Sequence, residues 1–505
     1  MAHSSMRREH LVAAAVVATV VLAATSLGSG GQSPFVDDGG AYSTDDRRMI
    51  VDDARDAPAL DASEDGRRSI EAGADERTPL GAVARSRRRQ LTDDELAILR
   101  DLEPEAFGAV PPAGGTWDRA SKNPCFFVQA KVDERECLPY YHVVGAWQSG
   151  GRALNAKIST HPDVFQSGET HFWNEDRPMR AYLDRYDAFE RASREAKRAL
   201  IVGDDSPGVL ANTWTESQRL HRAFKDTVTT CWKACQALPE TVPTGSRDGS
   251  PTERRRCVDG DAEDNVPGCG DRGNAVDPPR EKPGGHALSV PHLMRAVYGD
   301  RDVKIIAVLR EPVARLHAAY SHYEHYAERF GAGAAGFDEF VNLFVDAFEE
   351  CASEHGVEGC AHRFEAYHPK YEAVFYHADQ LIKTMYAVFL EGWLAMFGAE
   401  NVLVLRTEDV FHSDPGVRKT QLRKALDHFG LADVTEKALD AMDACDEECN
   451  RDDAAMATKK FTAADVNPST RAKLDAFFAP QLADLAAMLG DEKWRWPEYG
   501  GVQAE

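Results

Sequence analysis

The residues best suited to chemistry cluster in one stretch, VVGAWQSGGRALNAKISTHPDVF, from Val143 to Phe165. A compact apolar run, Tyr140 to Gly145, ends on glycine. After Ala146-Trp147-Gln148-Ser149-Gly150-Gly151, a helical pattern runs from about Arg152 to Thr160 and stops at His161-Pro162. A strand, a glycine-containing loop and a helix start present free N–H groups and a positive helix end to an anion, here a phosphate or sulfate. Gly150 and Gly151 let the backbone approach that group closely, where a side chain would obstruct it. The segment lacks GxxxxGK[ST], which disfavours a P-loop nucleotide kinase. Downstream, Glu169 is a candidate proton acceptor if it lies in a cleft, with His171 two residues away. Arg310 follows the apolar run Val303–Leu309, so a strand would deliver it to the end where open α/β sheets bind ligands. Its fork suits a phosphate because it donates two parallel hydrogen bonds. Each residue has a plainer reading: a surface carboxylate for Glu169, a strand-end contact for His171, a structural ion pair for Arg310, a solvated pair for Lys459-Lys460.

The elements that must position these residues follow from apolar runs. Four buried-strand patterns stand out, at 140–145, 199–203, 303–309 and 401–405, each separated from the next by helical sequence. That alternation predicts an α/β fold, a central parallel sheet flanked by helices. Helices are expected at 313–329, 374–397, 416–429 and 469–489, and the aromatic helix around Trp393 reads as core packing. Thr92 and Glu95 have capping-box spacing, which predicts a short helix to about Leu102. A Gly-, Pro- and Asp-rich stretch, 239–285, is too long for an ordinary connection and is expected to be an irregular insertion.

Residues 28–120 are rich in charged and small residues and are expected to form a largely disordered stem; the folded domain is expected over 121–500. Within the stem, Arg85-Ser86-Arg87-Arg88-Arg89 is a processing site or, more plainly, a solvated charge run. The apolar run Leu11–Leu27 follows Arg7 and Arg8, after a short tail of residues 1–10. It is either a signal-anchor with the tail in the cytoplasm, which the long polar stalk favours, or a cleaved signal peptide. Both deliver the folded part to the secretory lumen. Ten cysteines agree with that compartment and suggest disulfides. Nearest-neighbour pairing would give Cys125/Cys137, Cys231/Cys235, Cys257/Cys269, Cys351/Cys360 and Cys445/Cys449. Zinc is the rival reading, without a paired CxxC to support it. The chain has no usable N-glycosylation sequon, and its net charge of −24 argues against general nucleic-acid binding.

The loop segment resembles the 5′-phosphosulfate loop of carbohydrate sulfotransferases, notably the heparan sulfate 3-O-sulfotransferase form V-G-x-x-K-G-G-T-R-A-L…H-P-D-V. Val144-Gly145, Gly150, Arg152-Ala153-Leu154 and His161-Pro162-Asp163-Val164 match in register. Glu169-Thr170-His171-Phe172-Trp173 looks like that family's E-x-H-F-[FW] segment, whose glutamate is the general base. Leu309-Arg310-Glu311-Pro312-Val313-Ala314-Arg315 resembles its 3′-phosphate segment, and Asp205-Ser206-Pro207 sits where the family often has a Ser/Thr-Pro turn. Thr458-Lys459, Val466-Asn467-Pro468-Ser469 and Phe477-Phe478 resemble the stretch that closes over the nucleotide. The resemblance covers about residues 121–497 and implies a P-loop-like sulfotransferase fold.

It also implies a function. The co-substrate would be 3′-phosphoadenosine 5′-phosphosulfate, held by Gln148, Ser149, Gly150, Gly151, Arg152, Arg310, the position of Ala318 and Lys459, with no metal required. Glu169 would deprotonate a carbohydrate or glycosaminoglycan-like hydroxyl, with Gln148 and His171 beside it in the catalytic set. The location would be the Golgi membrane, single-pass type II with a lumenal domain, or secreted. Three positions depart from the family: Gln148 replaces its lysine, Gly151 its threonine and Ala318 its 3′-phosphate serine. Arg152, His171 or Lys157 could compensate if folded nearby. The departures support an alternative, a sulfotransferase-like protein that binds nucleotide or sulfated glycan without turnover.

Overall fold

The computed structural model describes residues 88–499 apart from 112–115, 129–134, 167, 176, 197–198, 212–218, 239–256, 258–259, 262–265, 279–284, 369–370, 372–373, 375–378, 432 and 445–465. All of these belong to the second of two compact units, Ala54–Glu505; the first, Met1–Asp53, lies outside the described residues. Outside them too fall the Leu11–Leu27 run, Lys459 and the Cys445/Cys449 pair. Among the described residues no helix is long and apolar enough to cross a membrane.

The centre is a parallel sheet of five strands: β1 (Tyr141–Gly145), β2 (Val164–Phe165), β3 (Ile201–Asp205), β4 (Lys304–Leu309) and β5 (Val402–Arg406). Their order is β2-β3-β1-β4-β5, so β1 and β4 lie side by side at the middle. Alternate residues of a strand enter different cores, as the two-residue period requires. Val143, Ile306 and Val308 pack with α1 (Gly151–Ile158) and α7 (Pro415–His428). Val144, Ile305 and Ala307 pack with α6 (Tyr386–Phe397). With helices on both faces, these strands read as continuous apolar runs.

Four strands match the expected runs, the second displaced two residues toward its acidic end. β2 was not expected; it starts at Val164, the last residue of the HPDV match. A long apolar helix, α5 (Gly333–Tyr367), was also not foreseen. It bends at Gly356, in the left-handed region, and the Cys351–Cys360 disulfide spans that bend. The helix expected over 313–329 is two, α4 (Pro312–His322) and Glu324–Phe330, broken where Tyr323 adopts an extended conformation. The helix expected over 374–397 is interrupted: residues 374 and 379–382 are helical, 383–385 are not, and α6 starts at Tyr386. The last helix, α8 (Pro468–Leu489), agrees with expectation.

Two expectations need correction. Residues 93–109, assigned to the stem, fold onto the core as helices Asp93–Leu102 and Pro104–Ala109, with Leu99 and Ala106 buried. The Thr92/Glu95 capping box starts the first of them as expected. Composition hid the rest, because few apolar residues suffice to dock two short helices. The second correction concerns disulfides: Cys125–Cys137 and Cys351–Cys360 form as expected, but Cys231 pairs with Cys269 and Cys235 with Cys257. Cys231 and Cys235 are four apart on α2 (Arg222–Gln236), so they share one face. Each reaches across to the insertion, which is not wholly irregular: it carries helix α3 (Cys269–Val276) and a short ladder, Gly260–Asp261 with Val266–Pro267.

Candidate functional site

Leaving β1, the chain stays tied to the sheet for one more residue, the Ala146 amide donating to the Val308 carbonyl at 2.7 Å. It then turns tightly, with the Ser149 amide on the Ala146 carbonyl at 3.2 Å. The next three carbonyls are all taken from outside the loop. Arg315 Nε donates to Trp147 O (2.8 Å), Arg310 Nη1 to Gln148 O (3.2 Å), and Thr407 Oγ1 to Ser149 O (2.7 Å). In a trans peptide the carbonyl and the following N–H point opposite ways, so anchoring the carbonyls of Trp147 and Ser149 turns the Gln148 and Gly150 N–H groups away from those anchors, while the Ser149 N–H is taken by Ala146. The first-turn amides of α1 add to that array, since a helix start leaves them without intrahelical acceptors. Gly150 supports the turn with φ 82°, and a methyl group there would run into the Phe411 ring. The Ser149 hydroxyl is fully buried without a hydrogen-bond partner.

The second part of the site hangs from the end of β3. Asp204 accepts from Thr170 Oγ1 (2.6 Å), Ser206 Oγ (2.6 Å) and Tyr182 OH (2.7 Å). Ser206 Oγ in turn accepts from the Thr170 and His171 amides at 3.1 and 3.0 Å. This fixes Glu169, whose carboxylate lies 2.8 Å from His171 Nε2 and 3.1 Å from Arg152 Nη2. Arg152 is on the first turn of α1, so it links the loop directly to Glu169. Among the described residues only Gln148, His171 and Trp496 are non-glycines with positive φ, and two of those three are in this site. Such strain concentrates where surrounding structure enforces a particular geometry.

Next to Glu169, Asp205 is buried at the end of β3, with only the Asn155 amide, at 3.4 Å, recorded as a hydrogen-bond partner. Burial, and then the Glu169 charge, push its carboxyl up to about 8. On the other side, Arg310 is buried at the end of β4, and burial lowers its pKa. Glu311 caps α4 by accepting from the Ala314 amide (2.7 Å) and pairs with Arg471 at 3.0 Å. Burial raises Glu311 to about 7 against those two stabilising contacts.

The fold therefore gathers Gln148, Ser149, Gly150, Gly151, Arg152, Glu169, His171 and Arg310 at the ends of adjacent strands. Ala318 lies buried within α4 and offers no polar group. Of the three cations that could compensate for Gln148, Arg152 and His171 contact Glu169, whereas Lys157 donates to the Asp443 carbonyl at 2.7 Å. Sequence reasoning missed Thr407 and gave no role to Asp204. A polar residue at a strand's C-terminal end was the available signal for both.

Comparison with known proteins gives the same direction. No family model matches the chain. The mouse carbohydrate sulfotransferase 15 is 24% identical over 402 residues, covering 73% of this chain and 56% of that protein. The human protein of that name is 23% identical over 391 residues, covering 71% and 55%. The chain is similar to these carbohydrate sulfotransferases over most of its own length. It spans a little over half the length of these relatives. A solved sulfotransferase from Alicyclobacillus acidocaldarius superposes with a TM-score of 0.34 at 19% identity, covering 71% of this chain and 99% of that one. That superposition is too loose to carry weight; the α/β assignment stands on the sheet itself.

Proposed function

We propose that this chain is a sulfotransferase that moves the sulfuryl group of 3′-phosphoadenosine 5′-phosphosulfate to a hydroxyl of a carbohydrate. One observation supports this most: the anion-ready loop, Arg310 and the Arg152–Glu169 pair converge at the ends of β1, β3 and β4. The fit to the nucleotide rests on the outward loop and helix-start amides and the unpartnered buried Ser149 hydroxyl. Loop residues 148–152 would hold the 5′ end and Arg310 the 3′-phosphate; Lys459 is assigned by resemblance alone. When bound, the co-substrate supplies an activated sulfur with a phosphate leaving group.

Glu169 takes the acceptor hydroxyl proton as the new O–S bond forms and the bond to the phosphate breaks. Arg152 and His171 hold the Glu169 carboxylate in place before the acceptor arrives. The loop amides, Gln148 and Arg152 stabilise negative charge on the departing side, the task the protein performs in related phosphoryl transfers. Four disulfides among the described residues suit an oxidising compartment, so the secretory lumen is the proposed location, with Leu11–Leu27 as a membrane anchor and the Golgi as destination.

A second reading, nucleotide or sulfated-glycan binding without turnover, is favoured by Gln148, which brings no charge to the loop. Incubating the purified protein with the co-substrate and mixed glycans, then weighing the products by mass spectrometry, separates the two. Sulfated product supports transfer. Bound nucleotide with unmodified glycans supports the second reading.

A further inference from the structure

Arg315 is a charged side chain with no exposed surface. Its guanidinium makes four hydrogen bonds, all to uncharged acceptors: Trp147 O at 2.8 Å, Gln380 O at 2.6 Å, Thr384 Oγ1 at 3.0 Å and Gln380 Oε1 at 2.6 Å. Among the described residues no carboxylate forms an ion pair with it. Asp379, whose charge reaches Arg315, is held by Lys383 at 2.7 Å. Hydrogen bonds satisfy the donors of a buried cation but leave its charge unbalanced, which folding tolerates only at a cost. The cost falls at an informative place, because the Trp147 carbonyl is the start of the anion loop. Arg310, also buried, grips the next carbonyl, that of Gln148. Arg315 thus backs the loop at Trp147 while Arg310 ties down the next carbonyl from beside it, in a loop that has glutamine where the related enzymes carry lysine.

We infer that Arg315 is a positioning residue for the donor nucleotide: it fixes the Trp147 carbonyl so that the loop amides face the phosphates, and those phosphates supply the counter-charge that the fold withholds from it. It touches no ligand; its field acts through one peptide group in a low-dielectric interior, where such effects persist. The inference rests on the sulfotransferase reading and adds to it a cation behind the loop that takes over part of the role lost at Gln148.

The decisive variant is Gln380→Glu. It is isosteric, keeps the acceptor 2.6 Å from Arg315 Nη2, and gives that guanidinium a partner inside the protein. It gives up the two hydrogen bonds, 3.2 Å each, that Gln380 Nε2 donates to the Asp379 carboxylate, which Lys383 continues to hold. Calorimetric titration of the full chain with 3′-phosphoadenosine 5′-phosphate should show wild-type binding and at least about tenfold weaker binding by Gln380→Glu, the scale on which charge partners alter affinity. Gln380→Glu in an Asp379→Asn background, which removes the contact between the two carboxylates, should also bind more weakly than wild type while melting no lower, a combination that mere structural damage would not produce. Arg315→Gln should also bind at least about tenfold more weakly; if it does not fold, Gln380→Glu still decides. Wild-type binding left undiminished in Gln380→Glu overturns this inference alone. Absence of binding by wild type overturns the sulfotransferase reading together with it.

Discussion

Glu169 sits between a histidine and an arginine, 12% exposed against 57% for Arg152, so its carboxylate faces inward while its partner reaches solvent. Glu169→Gln should reduce transfer by about a hundredfold or more, the scale of a positioned general base, while nucleotide affinity changes by no more than a few-fold. Retained transfer would remove Glu169 from the chemistry. Gln148→Lys should raise turnover or donor affinity by about tenfold or more, because a charged donor near a leaving group is worth more than a neutral one. No change would place position 148 away from the leaving oxygen. Asp205 offers a test by pH. Its carboxyl is held at about 8 in the folded chain against an ordinary 3.8, so the folded state binds the extra proton. The resulting stability is complete below the ordinary value and is lost as pH rises toward about 8. Asp205→Asn should therefore match wild type in melting temperature below the ordinary value of 3.8 and exceed it by a margin that grows until pH reaches about 8. A difference that stays constant with pH would contradict that environment. Glu169, His171 and Arg310 were legible in the sequence because each sits in a motif with fixed neighbours. Thr407 and Arg315 act through loop carbonyls, and no residue pattern announces which carbonyl a buried donor will find.

At the scale of elements, what could be read was the apolar run: β1 and β4 are mostly apolar and buried or nearly so on both faces, and β3 and β5 begin on apolar residues. β2 is two residues long, below the length at which periodicity carries information. The disulfides joining α2 to the insertion were misjudged for a related reason. Two cysteines one helical turn apart look like a pair in sequence but project side by side, so both need outside partners. Peptide mapping without reduction should recover Cys231–Cys269 and Cys235–Cys257 cross-links, and recovery of Cys231–Cys235 would contradict the arrangement. The segment preceding the expected core is testable as well. Leu99 is fully buried, and Leu99→Ala should lower unfolding stability by about 2–5 kcal/mol in denaturant titration. A change near zero would return residues 93–102 to the stem.

Over the whole molecule, net charge of −24 coexists with a site whose anion loop is backed by buried arginines, so attraction for a polyanionic nucleotide is local rather than global. Composition conveyed the first fact and could not convey the second, since burial of Arg310 and Arg315 depends on how α4 meets the sheet. The proposed chemistry joins these scales in one event, transfer of sulfur from loop to acceptor under the control of Glu169. The most direct test follows ³⁵S from labelled 3′-phosphoadenosine 5′-phosphosulfate into a mixed glycan pool, with wild type and Glu169→Gln compared side by side. Label should enter glycans with wild type and fall to background with the variant, although both bind the nucleotide. Equal labelling by the two proteins, or none by wild type, would contradict the account.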